Sequence, residues 1–346
     1  MKQGKSLQEL AVEIERQKTS KRDFLADTPK LNLTLEGNLE LAGVGSFNPT
    51  ENCHAQISDR LKIPKRYYDR MREAAPELLQ HNVNHWFGTN PEKRLVRTLD
   101  GSARAFLSDR YRVLDNFDLM EASLPIIQEQ GCEIVSCEVT TNNLFIKALF
   151  PKIESEIAKG DIVQSGLVIS NSETGQGSLR VEPLIYRLVC LNGMIANASM
   201  KKYHVGRGSG TNLEDIMELL SDKTRKMSDA AFWMQVQDII RSVFSRDIFE
   251  ANVNKLREAA NQEIKRDPVQ VIEIVKKDYN LTDNQGTSML QHLIKGGDLS
   301  RWGLANAVTR QANDEESYEE ATNLERLGGK IIELEPNQWK RIAEAS

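Results

Sequence analysis

The spacing of apolar positions divides this chain into a first part that mixes strands with helices and a second part that is all helix. Residues 5–18 set Leu7, Leu10, Val12 and Ile14 among charges, the pattern of a short amphipathic helix. Leu31, Leu33 and Leu35, then Leu39 and Leu41, alternate with polar residues on either side of Glu36-Gly37, which predicts a hairpin. Asn48-Pro49-Thr50-Glu51 starts a helix through Leu61, Ile63-Pro64 breaks it, and a second helix runs from Pro64 through Met71. Trp86 and Phe87 are expected to close this part onto a core. Strands at 94–99 and 103–107 flank Asp100-Gly101, with 111–114 continuing as strand. Asn116-Phe117-Asp118 caps a helix to Gln130, which Gly131 ends.

A β-rich stretch follows. Residues 133–140 and 144–150 predict a hairpin about Asn142-Asn143. Strands over 162–171 and 178–195 are separated by the turn-rich segment 172–177, and 201–205 reads as one more short strand. From residue 212 to 265 there is no glycine or proline, and Leu213, Ile216, Leu220, Phe232, Val236, Ile240 and Phe244 trace one apolar face. Asp267-Pro268 opens another helix, and 281–298, 299–313 and 317–332 complete a helical tail with Trp302, Leu304, Ala307 and Val308 in its core. The expected class is α+β: a mixed N-terminal part with a central antiparallel β-rich core, then an all-helical C-terminal region. The expected division is an arm at 1–30, a core domain at 31–210 and a helical region at 211–346.

Composition fits an ordinary globular protein, with 346 residues, 40% hydrophobic and 27% charged. No apolar run reaches the roughly 18–20 residues of a membrane span, and the polar opening MKQGKSLQELAVEIERQ is unlike a secretory signal. A cytoplasmic location is expected. Cys53, Cys132, Cys137 and Cys190 form no C-x-x-C pair, so they read as reduced thiols rather than zinc ligands.

The net charge of −5 argues against a protein that coats DNA with its whole surface, but not against a local basic groove. The charge is uneven. Arg60–Arg72 is strongly basic, Lys93–Arg112 holds six basic residues against Asp100 and Asp109, and 178–211 sets Arg180, Arg187, Lys201, Lys202 and Arg207 against Glu182 alone. Compensating acid lies in Asp314–Glu325.

The segment from Gly177 to Gly210 is the sharpest candidate. If 179–195 ran as one strand, Arg180, Glu182, Leu184 and Tyr186 would share a face opposite Val181, Ile185 and Arg187, with Pro183 expected to break or bulge it. Beyond it come Lys201, Lys202, Tyr203, His204 and Arg207 among Gly206, Gly208 and Gly210. Thr211 and Asn212 are natural caps for the following helix. Basic residues interleaved with an aromatic suit phosphates plus base stacking. The segment is no P-loop, for it has no Gly-Lys-Ser/Thr ending, and its glycine spacing is no dinucleotide fingerprint.

Arg104, Arg110 and Arg112, with Tyr111, form a second basic and aromatic cluster. Asp109 is the residue that would pair within it. Residues 53–72 read as helix–break–helix, either a packed pair with a basic outer face or a helix-turn-helix docking on DNA. His81 and His85 have the spacing of two ligands on one helix face, with Glu77 a turn back, but Asn82 and Asn84 weaken that helix and no metalloprotease motif is present. His54, His204 and His292 have no acid or nucleophile partner by spacing. Neither a metal, a cofactor nor a catalytic constellation is expected.

Several segments together resemble one family: ISDRLKIPKRYYDRM, AFLSDRYRVLDN, VISNSETGQGSLRVEPLIYRLVCLNGMI, KKYHVGRG and LSRWGLANAVTRQANDEESYEEATNLERLGGKII, in this order. The set is similar to the phage/plasmid-like proteins, a family of unknown function in phages, prophages and plasmids. The resemblance spans about residues 50–335 and implies a mobile-element setting. The order of a β-rich centre and a long helix is also loosely similar to Rad52-like single-strand annealing proteins, which bind strand backbones in a basic groove, as rings and without a cofactor. The expected function is non-enzymatic nucleic-acid binding, with single-stranded DNA as the partner and a homo-oligomer as the plausible state. The alternative is an interaction protein, a counter-defence factor or assembly protein, that meets a host protein through its helices and the Asp314–Glu325 face.

Overall fold

The computed structural model describes residues 1–196 and 222–344. The protein is α+β, and its strands fall into two sheets. The first is built from β1 (Arg22–Asp27), β2 (Leu31–Leu33), β3 (Leu39–Leu41), β4 (Gly45–Pro49), β5 (Lys93–Leu99) and β6 (Ser102–Ser108), in the order β1-β5-β6-β4-β3-β2. Every pairing is antiparallel except β4 with β6, the parallel join that unites the three-stranded halves β1-β5-β6 and β2-β3-β4 into one sheet. Three helices, α2 (Glu51–Arg60), α3 (Lys65–Ala74) and α4 (Pro76–Thr89), supply one cover of this sheet. Ile57, Tyr68, Met71, Leu79, Val83 and Phe87 pack on Leu31, Leu33, Leu39, Val96 and Phe106 in a single apolar cluster.

The second sheet is an antiparallel meander of β7 (Glu133–Val139), β8 (Leu144–Glu156), β9 (Ile162–Asn171), β10 (Arg180–Arg187) and β11 (Asn192–Ile195), in the order β11-β10-β9-β8-β7. Six successive residues of β8, Leu144 to Leu149, are buried, as a strand covered on both faces requires. On one face Leu144, Ile146 and Ala148 meet α1 (Leu7–Ser20), α5 (Asn116–Glu129) and α6 (Asp222–Val243) through Leu10, Leu119, Ile127, Val236 and Ile240. The C-terminal helices follow as α7 (Arg246–Ala260), α8 (Pro268–Tyr279), α9 (Asp283–Gly296), α10 (Arg301–Gln311), α11 (Tyr318–Ile332) and α12 (Pro336–Ala343). The other face meets α11, where Lys147 bonds Glu325 and where Ser170 and Glu182 accept from Arg326. Farther along the first face, Val163, Ile185 and Met194, with Ile153, share one cluster with Phe249, Val275, Met289, Trp302, Val308 and Ile331. Gly329 permits this packing: a Cβ there would lie 2.0 Å from the Ile195 carbonyl oxygen.

Local signals set the helix ends. Ser6, Thr50, Thr282, Ser300 and Ser317 each accept a first-turn N–H, a cap that contributes about 1 kcal/mol. Trp302, Leu304, Ala307 and Val308 are core, as their spacing predicts. No helix among the described residues is long and apolar enough to cross a membrane.

Several expectations are corrected. The segment 178–195 is two strands, not one. Its break is a turn at 188–191, where Leu191 takes a φ of +52°. Pro183 stays inside β10 opposite Leu167, just past the end of β11, and its carbonyl still accepts the Ala196 N–H. Residues 111–114 are not strand; Tyr111 turns to donate to the Ser172 carbonyl at 3.2 Å. The long helical run is interrupted between Val243 and Arg246. Asn82 and Asn84 do not break α4. The Asn84 amide accepts from Leu33 N–H and donates to Leu33 C=O, serving the edge strand β2 as a neighbouring strand would. Phe87 closes the first core against Phe106, whereas Trp86 stays partly exposed with its edge against His85. Strand β1 and helix α12 are elements the sequence pattern did not disclose.

Candidate nucleic-acid interface

Two of the nominated arginines are interior residues. Strand β6 points Arg104 inward, where it donates to Glu173 Oε2 at 2.9 Å with both side chains buried. Glu173 lies in the loop between β9 and β10 and also accepts from Lys21 at 3.2 Å and from the Asn116 N–H at 2.8 Å. Beside it Arg97, fully buried, bonds Asp23 at 2.9 Å, Asp115 at 2.6 Å and the Glu173 carbonyl at 2.9 Å. Lys21 reaches Asp115 at 2.8 Å. Asp115 therefore precedes α5 without capping it, because its carboxylate is held by Arg97 and Lys21. Burial alone would raise the Glu173 carboxyl, but Lys21 and Arg104 outweigh it and hold it below the usual range. This cluster joins the two sheets, and Arg104 has no face to offer a ligand.

The backbone of the same loop is held equally firmly. Asn52 donates to the carbonyls of Arg104 and Thr174, Gln56 to Thr174 at 2.7 Å, and Ser172 to Asn142 at 2.9 Å. The first half of the turn-rich segment, Ser172 to Thr174, is thus a buried polar joint, while Gly175 to Gly177 are exposed.

Arg187 is likewise engaged. Its Nε and Nη2 grip Asp161 at 2.6 and 3.0 Å, and the Trp302 indole N–H donates to the same carboxylate at 2.9 Å. The fork staples the β10–β11 hairpin to α10, which removes Arg187 from any exposed strand face.

The remaining nominees lie elsewhere. Arg180 is half-buried on β10 opposite Ser170, on the face where Glu182 pairs with Arg326 at 2.6 Å. Arg110 is exposed in the turn after β6, and Arg112 stacks 4.4 Å over the Phe232 ring of α6. Lys201, Lys202, Tyr203, His204 and Arg207, the expected strand at 201–205, the three glycines and the caps Thr211 and Asn212 lie outside the described residues.

The acidic face is also revised. Glu325 is fully buried and accepts from Lys147 of β8 at 2.6 Å, with Lys147 4.6 Å from the Tyr318 ring. Glu319 receives Thr140 and Asn143 at 2.6 and 2.8 Å, and Glu315 receives Gln285 and Gln311. Glu316 and Glu320 remain exposed.

Among the described residues no three His, Cys, Asp or Glu side chains are placed to hold a metal ion. His81 and His85 stack with ring centres 6.4 Å apart. The His54 Nδ1 lies 2.9 Å from the Tyr68 hydroxyl in the α2–α3 interior, and burial lowers its pKa to about 4, so it is neutral at pH 7. Burial pushes the thiols of Cys53, Cys132 and Cys137 up to about 12, which keeps them protonated and poorly nucleophilic.

One basic surface belongs to the helix–break–helix at 53–72, whose sequence reads either as a packed pair with a basic outer face or as a helix-turn-helix. Helices α2 and α3 do pack through Ile57, Tyr68 and Met71, and the outer side of α3 exposes Arg66, Tyr67 and Arg70, with Lys62 exposed in the turn before it. The four-residue spacing of Lys62, Arg66 and Arg70 was the available signal.

The family model described as Domain of unknown function (DUF932) matches residues 105–327. No curated protein and no solved structure matches the chain.

Proposed function

The chain belongs to that family, and on that premise we propose that it is a non-enzymatic nucleic-acid-binding protein of a mobile genetic element. Its ligand in this reading is single-stranded DNA. The site in this reading is the basic segment carrying Lys201, Lys202, Tyr203 and Arg207, with Arg110, Arg112 and Arg180 as further phosphate contacts.

The observation that carries the reading is the position of Arg112. It lies over Phe232 of α6, the first described helix that follows the basic segment along the chain, so one nominated arginine is set on the element next in sequence. A five-stranded antiparallel sheet followed by a long helix also supports the comparison with annealing proteins, as a likeness of layout. Protonated cysteines and a neutral, buried His54 favour binding over catalysis.

Fluorescence anisotropy with a labelled single strand tests the proposal. Binding should weaken steeply with salt, because neutralised phosphates release counterions. The charge reversal K201E/K202E should lower affinity by at least about tenfold, the loss expected when two phosphate contacts are reversed, and leave thermal unfolding unchanged. No binding at low salt, or binding indifferent to salt, would sink it.

A further inference from the structure

We propose that α3 is a second phosphate-binding element, in which Lys62, Arg66 and Arg70 hold the backbone of a bound nucleic acid and Tyr67 packs against it. The inference rests on the reading of the protein as a nucleic-acid binder, but it names a surface outside the stretch the family model covers.

The first observation is the sorting of charges on one short helix. Lys65 pairs with Asp69, and Arg72 pairs with Glu51 at 2.7 Å, so the stripe 65–69–72 is internally neutralised. Arg66 and Arg70 form the adjacent stripe, one helical turn or about 6 Å apart, and Lys62 lies in the turn that leads into the helix. Their side chains are exposed and make no ion pair or hydrogen bond among the described residues. Tyr67, 46% exposed, borders them. Three uncompensated cations close together in sequence, two of them on one helix face, beside an exposed ring, stand out on a chain whose net charge is −5. They match what a strand of phosphates asks of a protein surface.

The second observation is the turn that presents them. Helix α2 ends with Leu61 N–H on Ile57 C=O, Lys62 N–H on Asp59 C=O and Ile63 N–H on Ser58 C=O. This closure places Lys62 in the left-handed region, with φ +56°. Glycine is the residue that such a helix terminus favours, since it has no Cβ to crowd the next carbonyl. A lysine holds the position instead, with its side chain in solvent at the head of the cationic stripe. Backbone strain retained at an exposed residue with no internal partner points to use of its side chain.

The third observation is rigidity. Ile63, Tyr68 and Met71 are buried, Ser58 Oγ donates to Ile63 C=O at 2.7 Å, and the Tyr68 hydroxyl meets His54. The inner side of α3 is therefore fixed while its outer side is unpartnered. The short helix, four-residue turn and basic second helix have the form in which a helix is set against nucleic acid.

The experiment compares the full chain with R66E/R70E, R66A/R70A, K62G and K201E/K202E. Anisotropy is measured on a labelled single strand and its duplex across a salt series, with thermal unfolding in parallel. R66E/R70E should weaken binding by about tenfold or more and flatten the salt dependence at unchanged melting temperature, with a smaller loss in R66A/R70A. The strand form that shows the larger loss is the one α3 holds. K62G should move the two readouts in opposite directions, raising the melting temperature while lowering affinity by a few-fold. The inference is overturned if R66E/R70E binds as the wild type does, or if K62G is no more stable than wild type. Wild-type binding that survives R66E/R70E but is lost in K201E/K202E removes α3 and leaves the proposed function standing. A wild type that binds neither strand form removes both.

Discussion

In the second sheet, Lys147 meets Glu325 at 2.6 Å between β8 and α11, with neither side chain exposed. On the helical cover of the first sheet, Lys62, Arg66 and Arg70 stand in solvent with no carboxylate against them among the described residues. The same residue types do opposite work. A cation under two-sided cover must bring its counter-ion with it, because an unpaired charge loses several kcal/mol of hydration. Arg97, Arg104 and Arg187 obey that rule, each with a carboxylate at 2.6–2.9 Å. A cation on a one-sided layer faces water and is available to a ligand. The comparison teaches that a basic stretch is a candidate site only after its internal carboxylates have been found.

The interior half breaks most visibly at the buried pair. Glu325→Leu should destabilise the fold by about 3–5 kcal/mol, since it strands Lys147 in the core, where burial already lowers the ammonium pKa. The double variant K147M/E325L should recover most of that loss in urea unfolding. A single variant as stable as wild type would mean that the pair is hydrated.

A somewhat smaller effect is expected from pH at the layer beneath α3. His54 is held at a pKa of about 4, below its ordinary value of 6.5, chiefly by burial. The unfolded chain takes up this proton first. Stability is therefore complete above pH 6.5 and declines as pH falls towards 4, by up to about 3 kcal/mol. His54→Gln should flatten this part of a stability–pH curve. A curve as steep as the wild type's would assign the slope to another group.

The smallest effect sharpens the exposed half. Leu191 shares the left-handed backbone of Lys62 but carries no charge. Leu191→Gly should stabilise by roughly 1 kcal/mol through the same backbone relief. It should also leave nucleic-acid affinity unchanged, so any loss in K62G belongs to the lysine side chain.

Much of the architecture was legible because its signals are local. The hairpin about Glu36-Gly37, the Pro64 break, the strands around Asp100-Gly101 and the Asp267-Pro268 helix start all depend on residues within a few positions of one another. The candidate site was less legible. Arg104 reads as basic and accessible beside Arg110 and Arg112, yet its partner Glu173 lies 69 residues away. Arg187 finds Asp161 across a hairpin and Trp302 across the sheet. Glu325 resembles its exposed neighbours Glu316 and Glu320 until β8 brings Lys147 beneath it.

The sequence by itself determined where many of the helices and hairpins begin, which positions are apolar, and that positive charge gathers in three stretches. Those features follow from backbone geometry and the period of side chains along one element. Only the tertiary structure decided which of those charges meet a carboxylate and which meet water. Burial and pairing depend on what distant segments deliver to the same place, and no local period encodes that.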